Sequence, residues 1–159
     1  MRVEPFVLVL GLAAASPVAA QVTTCVGGGI SYSLGLYESY QSTHLDSSAN
    51  VAVNCTRRGG PGNATVTISL GPSATSGSIA TRRLRGAVGG DLLDYNFYRD
   101  AGRTQVWGDT PGVNTVAQTQ HIANNATLAF SFTIFGRINA LQDVRPGNYS
   151  DTLLLTIDF

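Results

Sequence analysis

The fold is decided by the stretch Asp151-Thr-Leu-Leu-Leu-Thr-Ile-Asp-Phe159. Side chains of a β-strand alternate between the two faces of a sheet, so this spacing predicts a strand with four apolar side chains on one face. They are Leu153, Leu155, Ile157 and Phe159. A shift of one residue would replace them with a largely polar face, which fixes the register. We predict that this strand offers its backbone edge and its alternating side chains to a strand from another protein.

Residues 1–20 have the pattern of a secretory signal peptide. An apolar run over residues 6–15 is followed by Val-Ala-Ala at residues 18–20, which resembles a signal-peptidase site. No run approaches the ~20 apolar residues that a membrane-spanning helix needs, so we expect no membrane insertion. The predicted organisation is a signal peptide over residues 1–20 and one exported domain over residues 21–159.

The balance of charged residues bears on which partners the chain could bind. The chain has ten Arg and no Lys against ten acidic residues, so its formal net charge is zero. This balance favours neither nucleic acid nor an anionic membrane as a partner. The absence of Lys excludes a Schiff base and a Walker-type phosphate site. In the densest basic stretch, residues 82–85, we expect Arg83 and Arg85 to lie on the solvent face of a short strand.

Two cysteines, Cys25 and Cys55, are present in a chain that we expect to be exported. An even number in an oxidising compartment predicts one disulfide. The two residues are 30 positions apart, and closing a loop of that length is worth on the order of 3–4 kcal/mol.

Short alternating segments recur along the exported part of the chain, separated by turns rich in Gly and Pro. The predicted strands are residues 30–36, 50–55, 64–70, 82–88, 92–98, 105–107, 128–135 and 149–159. Short strands, 18 Gly and no amphipathic helical pattern favour an all-β sandwich. Its inner faces are predicted from the alternating sets Val51/Val53, Val66/Ile68/Leu70 and Leu128/Phe130/Phe132/Ile134.

The residues that could perform catalysis are isolated from one another in the sequence. His44 and His121 have no other ligand at metal-binding spacing, so we expect no metal and no cofactor. Asp94 and Asp100 flank an aromatic strand, and we interpret them as strand-end and turn acids rather than as a catalytic pair. No Gly-x-Ser-x-Gly motif is present. We therefore predict a protein that is not an enzyme.

Several further segments stand out by their order and spacing. They are Leu93-Asp-Tyr-Asn-Phe-Tyr-Arg-Asp100, Trp107-Gly-Asp109, Phe135-Gly-Arg-Ile-Asn-Ala140 with Gln142, Pro146-Gly-Asn-Tyr-Ser-Asp-Thr152 and Leu155-Thr-Ile-Asp-Phe159, together with Gly35-Leu-Tyr37 and the two cysteines. Together they resemble the spore coat protein U domain family, which is similar to the subunits of archaic, Csu-type chaperone–usher pili.

The resemblance implies an incomplete immunoglobulin-like β-sandwich that lacks its final strand and is completed by a donor strand. It also implies the partners, which are a periplasmic chaperone, an outer-membrane usher and other pilus subunits. The expected product is an extracellular fibre or coat that serves adhesion and biofilm formation. Pilus subunits of this kind donate an extension that precedes the first cysteine. Residues 21–24 span only ~13 Å at ~3.3 Å per residue, so we expect this chain to accept a strand rather than to give one.

Two alternatives from other classes remain open at this point. The segment at residues 149–159 also fits the ordinary last strand of a complete secreted sandwich, which would bind carbohydrate or another surface ligand through Tyr95, Tyr98 and Trp107. A small secreted hydrolase is the other alternative, because a catalytic triad is assembled in space and not in sequence. The first alternative requires a domain that folds cooperatively as a soluble monomer without a partner.

The cysteine pair generates a direct prediction. The exported protein should yield a disulfide-linked Cys25–Cys55 peptide pair in mass spectrometry of a non-reduced digest. Two free thiols in material recovered from the periplasm would contradict it.

Overall fold

The computed structural model describes residues 21–28 and 30–159, so the predicted signal peptide lies outside the described residues. Within these residues the chain forms nine β-strands and no helix. No helix in the described part is therefore long and apolar enough to cross a membrane. The strands are β1 (Val22–Gly27), β2 (Leu45–Arg58), β3 (Gly62–Ser73), β4 (Arg82–Gly86), β5 (Leu92–Tyr98), β6 (Val116–Ile122), β7 (Thr127–Ile138), β8 (Tyr149–Ser150) and β9 (Leu153–Asp158).

The strands form two antiparallel sheets of unequal width. The six-stranded sheet has the order β1-β2-β7-β5-β4-β8, and the three-stranded sheet has the order β6-β3-β9. The predicted all-β sandwich is thus confirmed. The predicted disulfide is also confirmed, since Cys25 and Cys55 are bonded at facing positions of β1 and β2.

The core forms where the alternating faces of the two sheets meet. β2, β3 and β7 supply most of it, and their inward side chains are buried as the alternation predicts. The buried apolar side chains of these strands are Val51, Val53, Cys55, Ala64, Val66, Ile68, Leu70, Phe130, Phe132, Ile134 and Ile138, with Leu128 partly buried beside them. Each large apolar side chain stabilises the fold by about 1.5–3 kcal/mol on burial.

Two predicted strands are wrong. Residues 30–36 alternate in burial, with Tyr32 and Leu34 turned inward, but they pair with no strand in the described part of the chain. Residues 105–107 reduce to an isolated bridge between Val106 and Tyr98. The prediction also lacks two strands, because β1 has only six residues and β6 carries polar residues on both faces. Pairing with β2 and β3, rather than apolar alternation, defines these two strands.

The predicted strand over residues 149–159 is divided between the two sheets. β8 pairs with β4 in the wide sheet, whereas β9 pairs with β3 in the narrow one. The chain crosses at Asp151 and Thr152. The Asp151 carboxylate accepts hydrogen bonds from the Tyr95 hydroxyl at 2.8 Å and from the Thr75 N–H at 3.2 Å. The crossing point is therefore held by side-chain contacts that an alternation pattern does not reveal.

A buried arginine ties the two sheets together near this crossing. Arg82 in β4 is 0% exposed, and its guanidinium donates to the carbonyl oxygens of Leu70, Gly71 and Trp107 and to Oδ1 of Asn96, at 2.7–3.3 Å. Burial lowers the pKa of Arg82 from its ordinary value, and nearby acidic groups oppose that shift. The donors of this one side chain thus satisfy acceptors from β3, β5 and the segment between β5 and β6.

Replacing this arginine should destabilise the domain strongly. Arg82→Met leaves several buried acceptors without a donor, and each unsatisfied group costs about 1–3 kcal/mol. Arg85→Met, on the exposed side of the same strand, should change the free energy of unfolding by less than about 0.5 kcal/mol. Urea denaturation of both variants measures the difference. Equal unfolding midpoints would show that Arg82 does not tie the sheets together.

Candidate functional site

A cavity of about 1200 Å³ opens between the last strand and the inner face of the wide sheet. The three-stranded sheet is too narrow to cover the six-stranded one. Inward side chains of β4, β5 and the end of β7 therefore have no strand opposite them. The apolar residues that line the cavity from the two sheets are Leu70, Leu84, Leu93, Tyr95, Phe97, Ile134, Ile138, Leu153, Leu155 and Ile157. Residues 30–40 and 144–152 contribute the remaining walls.

β9 borders this cavity and is hydrogen-bonded along one side only. Its partner is β3, with Leu155 opposite Leu70 and Ile157 opposite Ile68. Among the described residues, no backbone hydrogen bond from outside β3 reaches Leu153–Asp158. The second edge of β9 therefore presents backbone N–H and C=O groups that another strand could pair with.

The structure brings three of the four predicted face residues together. Leu153, Leu155 and Ile157 are half-buried and line the cavity, while the intervening Leu154 is 72% exposed on the outer face. Phe159 follows the end of β9, is 61% exposed and does not line the cavity. The alternate residues predicted to share one face of β9 are thus the ones that turn toward the cavity. Their role in binding a strand stays a prediction.

The two ends of the cavity differ in character. At one end Gly27, the last residue of β1, lies against the side chain of Ile157, and a Cβ at this position would collide with it. At the other end the Tyr95 hydroxyl donates to Asp151. Burial, with a smaller contribution from this hydrogen bond, raises the pKa of Tyr95. The tyrosine therefore stays neutral at physiological pH. The floor of the cavity is apolar, whereas its walls include polar residues such as Glu38, Arg145 and Asp151.

Residues 30–38, which we call the strap, form another wall of the cavity that β9 borders. The Tyr32 ring lies 5.3 Å from that of Phe97, and its hydroxyl donates to the Ser47 hydroxyl oxygen at 2.8 Å. Leu34 packs against the core beside it. The strap is therefore seated on the wide sheet although it belongs to no ladder.

The alternative that Tyr95, Tyr98 and Trp107 bind a carbohydrate or another surface ligand is wrong for these three residues. Trp107 is 0% exposed and its indole N–H donates to the carbonyl oxygen of Ile68 at 3.0 Å. Tyr95 is 3% exposed, and Tyr98 is only partly accessible. These rings are part of the core and its border, so they cannot form a flat surface for a sugar.

The isolated histidines and acids have separate structural partners. Asp94 pairs with Arg83 at 2.8 Å, and Asp100 accepts backbone N–H groups of the turn that follows it. His44 accepts a backbone N–H through Nδ1, and His121 contacts an asparagine side chain. Within residues 21–28 and 30–159 no three His, Cys, Asp or Glu side chains are grouped as metal ligands.

Sequence reasoning did not identify the floor of the groove. Leu84 in β4 and Leu93, Tyr95 and Phe97 in β5 supply it. The alternation of residues 93, 95 and 97 was visible in the predicted strand over 92–98. What the pattern could not show is that the facing sheet stops short of this strand.

The model of the family described as the Spore Coat Protein U domain matches residues 11–156. This chain belongs to that family. It is 28% identical over 149 residues to Protein U of Myxococcus xanthus, covering 89% of this chain and 78% of that protein. The resemblance noted in the sequence is thereby confirmed.

The spore coat U domain also has a solved structural neighbour. It is a chain in the crystal structure of the CsuC-CsuE chaperone–tip adhesion subunit pre-assembly complex, from archaic chaperone–usher Csu pili of Acinetobacter baumannii. The TM-score is 0.54 at 16% identity, and the match covers 88% of this chain and 40% of that chain. The domain therefore spans less than half of its neighbour's length. At this identity the similarity shows the fold, and it confirms the immunoglobulin-like sandwich.

Proposed function

We propose that this spore coat U domain is a structural subunit of a surface fibre or coat and acts by binding an extended strand from another protein beside β9. The observation that supports this most directly is the free edge of β9 next to an open cavity with an apolar floor. The family and the pilus-associated structural neighbour favour the same function. The action is binding and assembly, without catalysis.

Main-chain hydrogen bonds and the burial of apolar side chains would both favour such binding. A strand beside β9 would form main-chain hydrogen bonds and place every second side chain in the groove. Each large apolar side chain buried there contributes about 1.5–3 kcal/mol. A few of them together equal a large part of the ~5–15 kcal/mol by which a domain is stable. Binding of the strand should therefore stabilise the folded subunit.

The proposed partners follow from the family resemblance. A periplasmic chaperone would supply the strand first, and another subunit would replace it as an outer-membrane usher assembles the fibre. Export would use residues 1–20 as signal peptide and deliver residues 21–159 as the folded domain. Adhesion and biofilm formation are the proposed uses of the assembled fibre or coat.

A soluble synthetic peptide in which Ile alternates with Thr between charged ends tests the proposal. It should raise the melting temperature of the domain, by roughly 2–8 °C for each kcal/mol of stabilisation. The same peptide with Asp in place of Ile should have no effect, because an unpaired charge in an apolar groove is costly. A domain whose melting temperature is unmoved by the Ile peptide would contradict the proposed function.

Variants of opposite parity in β9 test which face binds. Leu155→Asp places a carboxylate in the groove and should abolish the peptide-induced rise in melting temperature. Thr156→Asp, on the outer face, should retain most of that rise. Circular dichroism establishes that both variants are folded before the peptide is added. Equal loss at both positions would contradict the assigned face.

A further inference from the structure

Several of the family-type segments meet at one place, the strap. Tyr37 belongs to Gly35-Leu-Tyr37, Gly136 to the segment at the end of β7, and Gln142 follows that segment. All three lie on or against residues 30–38. Strand pairing along β9 uses none of these residues.

The absence of a side chain at Gly136 leaves a space, which we call the socket, that side chains of the strap fill. The inward positions of β7 carry Phe132, Ile134 and Ile138, and Gly136 interrupts this row. A Cβ built on Gly136 would lie 2.5 Å from Cδ2 of Leu34 and 3.0 Å from the Tyr32 hydroxyl oxygen. Gly136 is not among the residues with positive φ, so its backbone would accept any side chain. The space that the strap occupies, and not backbone conformation, therefore accounts for glycine here.

Gln142 holds the far end of the strap to the wide sheet. The backbone N–H of Gln142 donates to the Tyr37 hydroxyl oxygen at 2.7 Å. Its side-chain amide donates to the carbonyl oxygen of Asp94 at 2.9 Å and accepts the Asp94 N–H at 2.7 Å. The amide thus pairs with the Asp94 backbone just beyond the end of β7, as a further residue of that strand would. Because Gln142 contacts both Asp94 and Tyr37, it fixes the position of Tyr37 relative to the wide sheet.

The strap backbone is itself unpaired. No backbone N–H of residues 30–37 donates to another backbone group in the described part of the chain, although the segment is strand-like in its alternation. It lines the same cavity as β9. Two extended segments with free hydrogen-bonding groups therefore border one cavity with an apolar floor.

We propose that Gly136 and Gln142 are positioning residues, which hold the strap at the distance from β9 that a partner strand requires. The inference rests on the proposed function. The partner is an extended segment with alternating apolar residues, gripped between β9 and the strap. A wall that is already in place lowers the ordering cost of binding, so the socket and the Gln142 contacts contribute to affinity without touching the partner.

The socket is tested by peptide affinity in the full exported domain. Gly136→Val keeps a residue that suits a strand but fills the socket and should weaken binding of the Ile/Thr peptide roughly tenfold, measured by calorimetry. Ser131→Val, on the exposed face of the same strand, should leave affinity unchanged within about twofold. Equal affinity of both variants would overturn the proposal for Gly136.

A double-mutant cycle separates positioning from general destabilisation. Leu34→Ala removes the atom that the new side chain displaces, so Gly136→Val should cost much less affinity in that background. The same loss of affinity with and without Leu34 would show that the valine acts elsewhere and would overturn the socket. Leu36→Ala, at a position of the strap that is 83% exposed, is the matched control and should give no rescue.

Gln142→Ala and Tyr37→Phe test the second contact, with Gln118→Ala as the control that loses a side-chain hydrogen bond on the other sheet. Both test variants should weaken peptide binding more than Gln118→Ala does, even where the free variants have the same melting temperature as that control. They should also speed amide hydrogen exchange in residues 31–37 of the complex. Unchanged affinity and exchange would overturn the role of Gln142. Failure of the wild-type domain to bind the peptide would instead reject the proposed function.

Discussion

The one-sided pairing of β9 with β3 is the constraint on which the structure depends. It ends the narrow sheet at three strands while the wide sheet continues to six, and the difference in width leaves an apolar floor without a cover. A folded domain ordinarily buries such surface, and an exposed strand edge is a site for pairing with another chain. One missing neighbour for β9 thus accounts for both the cavity and the free edge beside it.

The rest of the molecule holds this edge in place. Asp151 fixes the point at which the chain leaves β8 for β9, through the Tyr95 hydroxyl and a backbone N–H. Arg82 joins the bulged end of β3, on which β9 pairs, to β4 and β5. The disulfide fastens β1 to β2 on the side where Gly27 meets Ile157. Buried polar contacts of this kind specify a unique arrangement when every group is satisfied.

The sequence predicted what alternation and turn chemistry control. The sandwich, the disulfide, β5 and the inward parity of Leu155 and Ile157 follow from local pattern and cysteine number. Alternation cannot say whether a strand finds a partner, so residues 30–36 were predicted as a strand and are a strap. It also cannot show that Arg82 is buried, because the acceptors that compensate its charge come from distant backbone.

Hydrogen exchange of β9 is the most direct test of the central claim. The amides of Leu153–Asp158 that do not pair with β3 should exchange fast in the free domain and become protected when the Ile/Thr peptide binds. Amides paired in the ladder between β2 and β7, away from the cavity edge, should keep their rates. Protection confined to the groove edge is the predicted result. Slow exchange of all β9 amides in the free domain, or no change on peptide binding, would contradict the account.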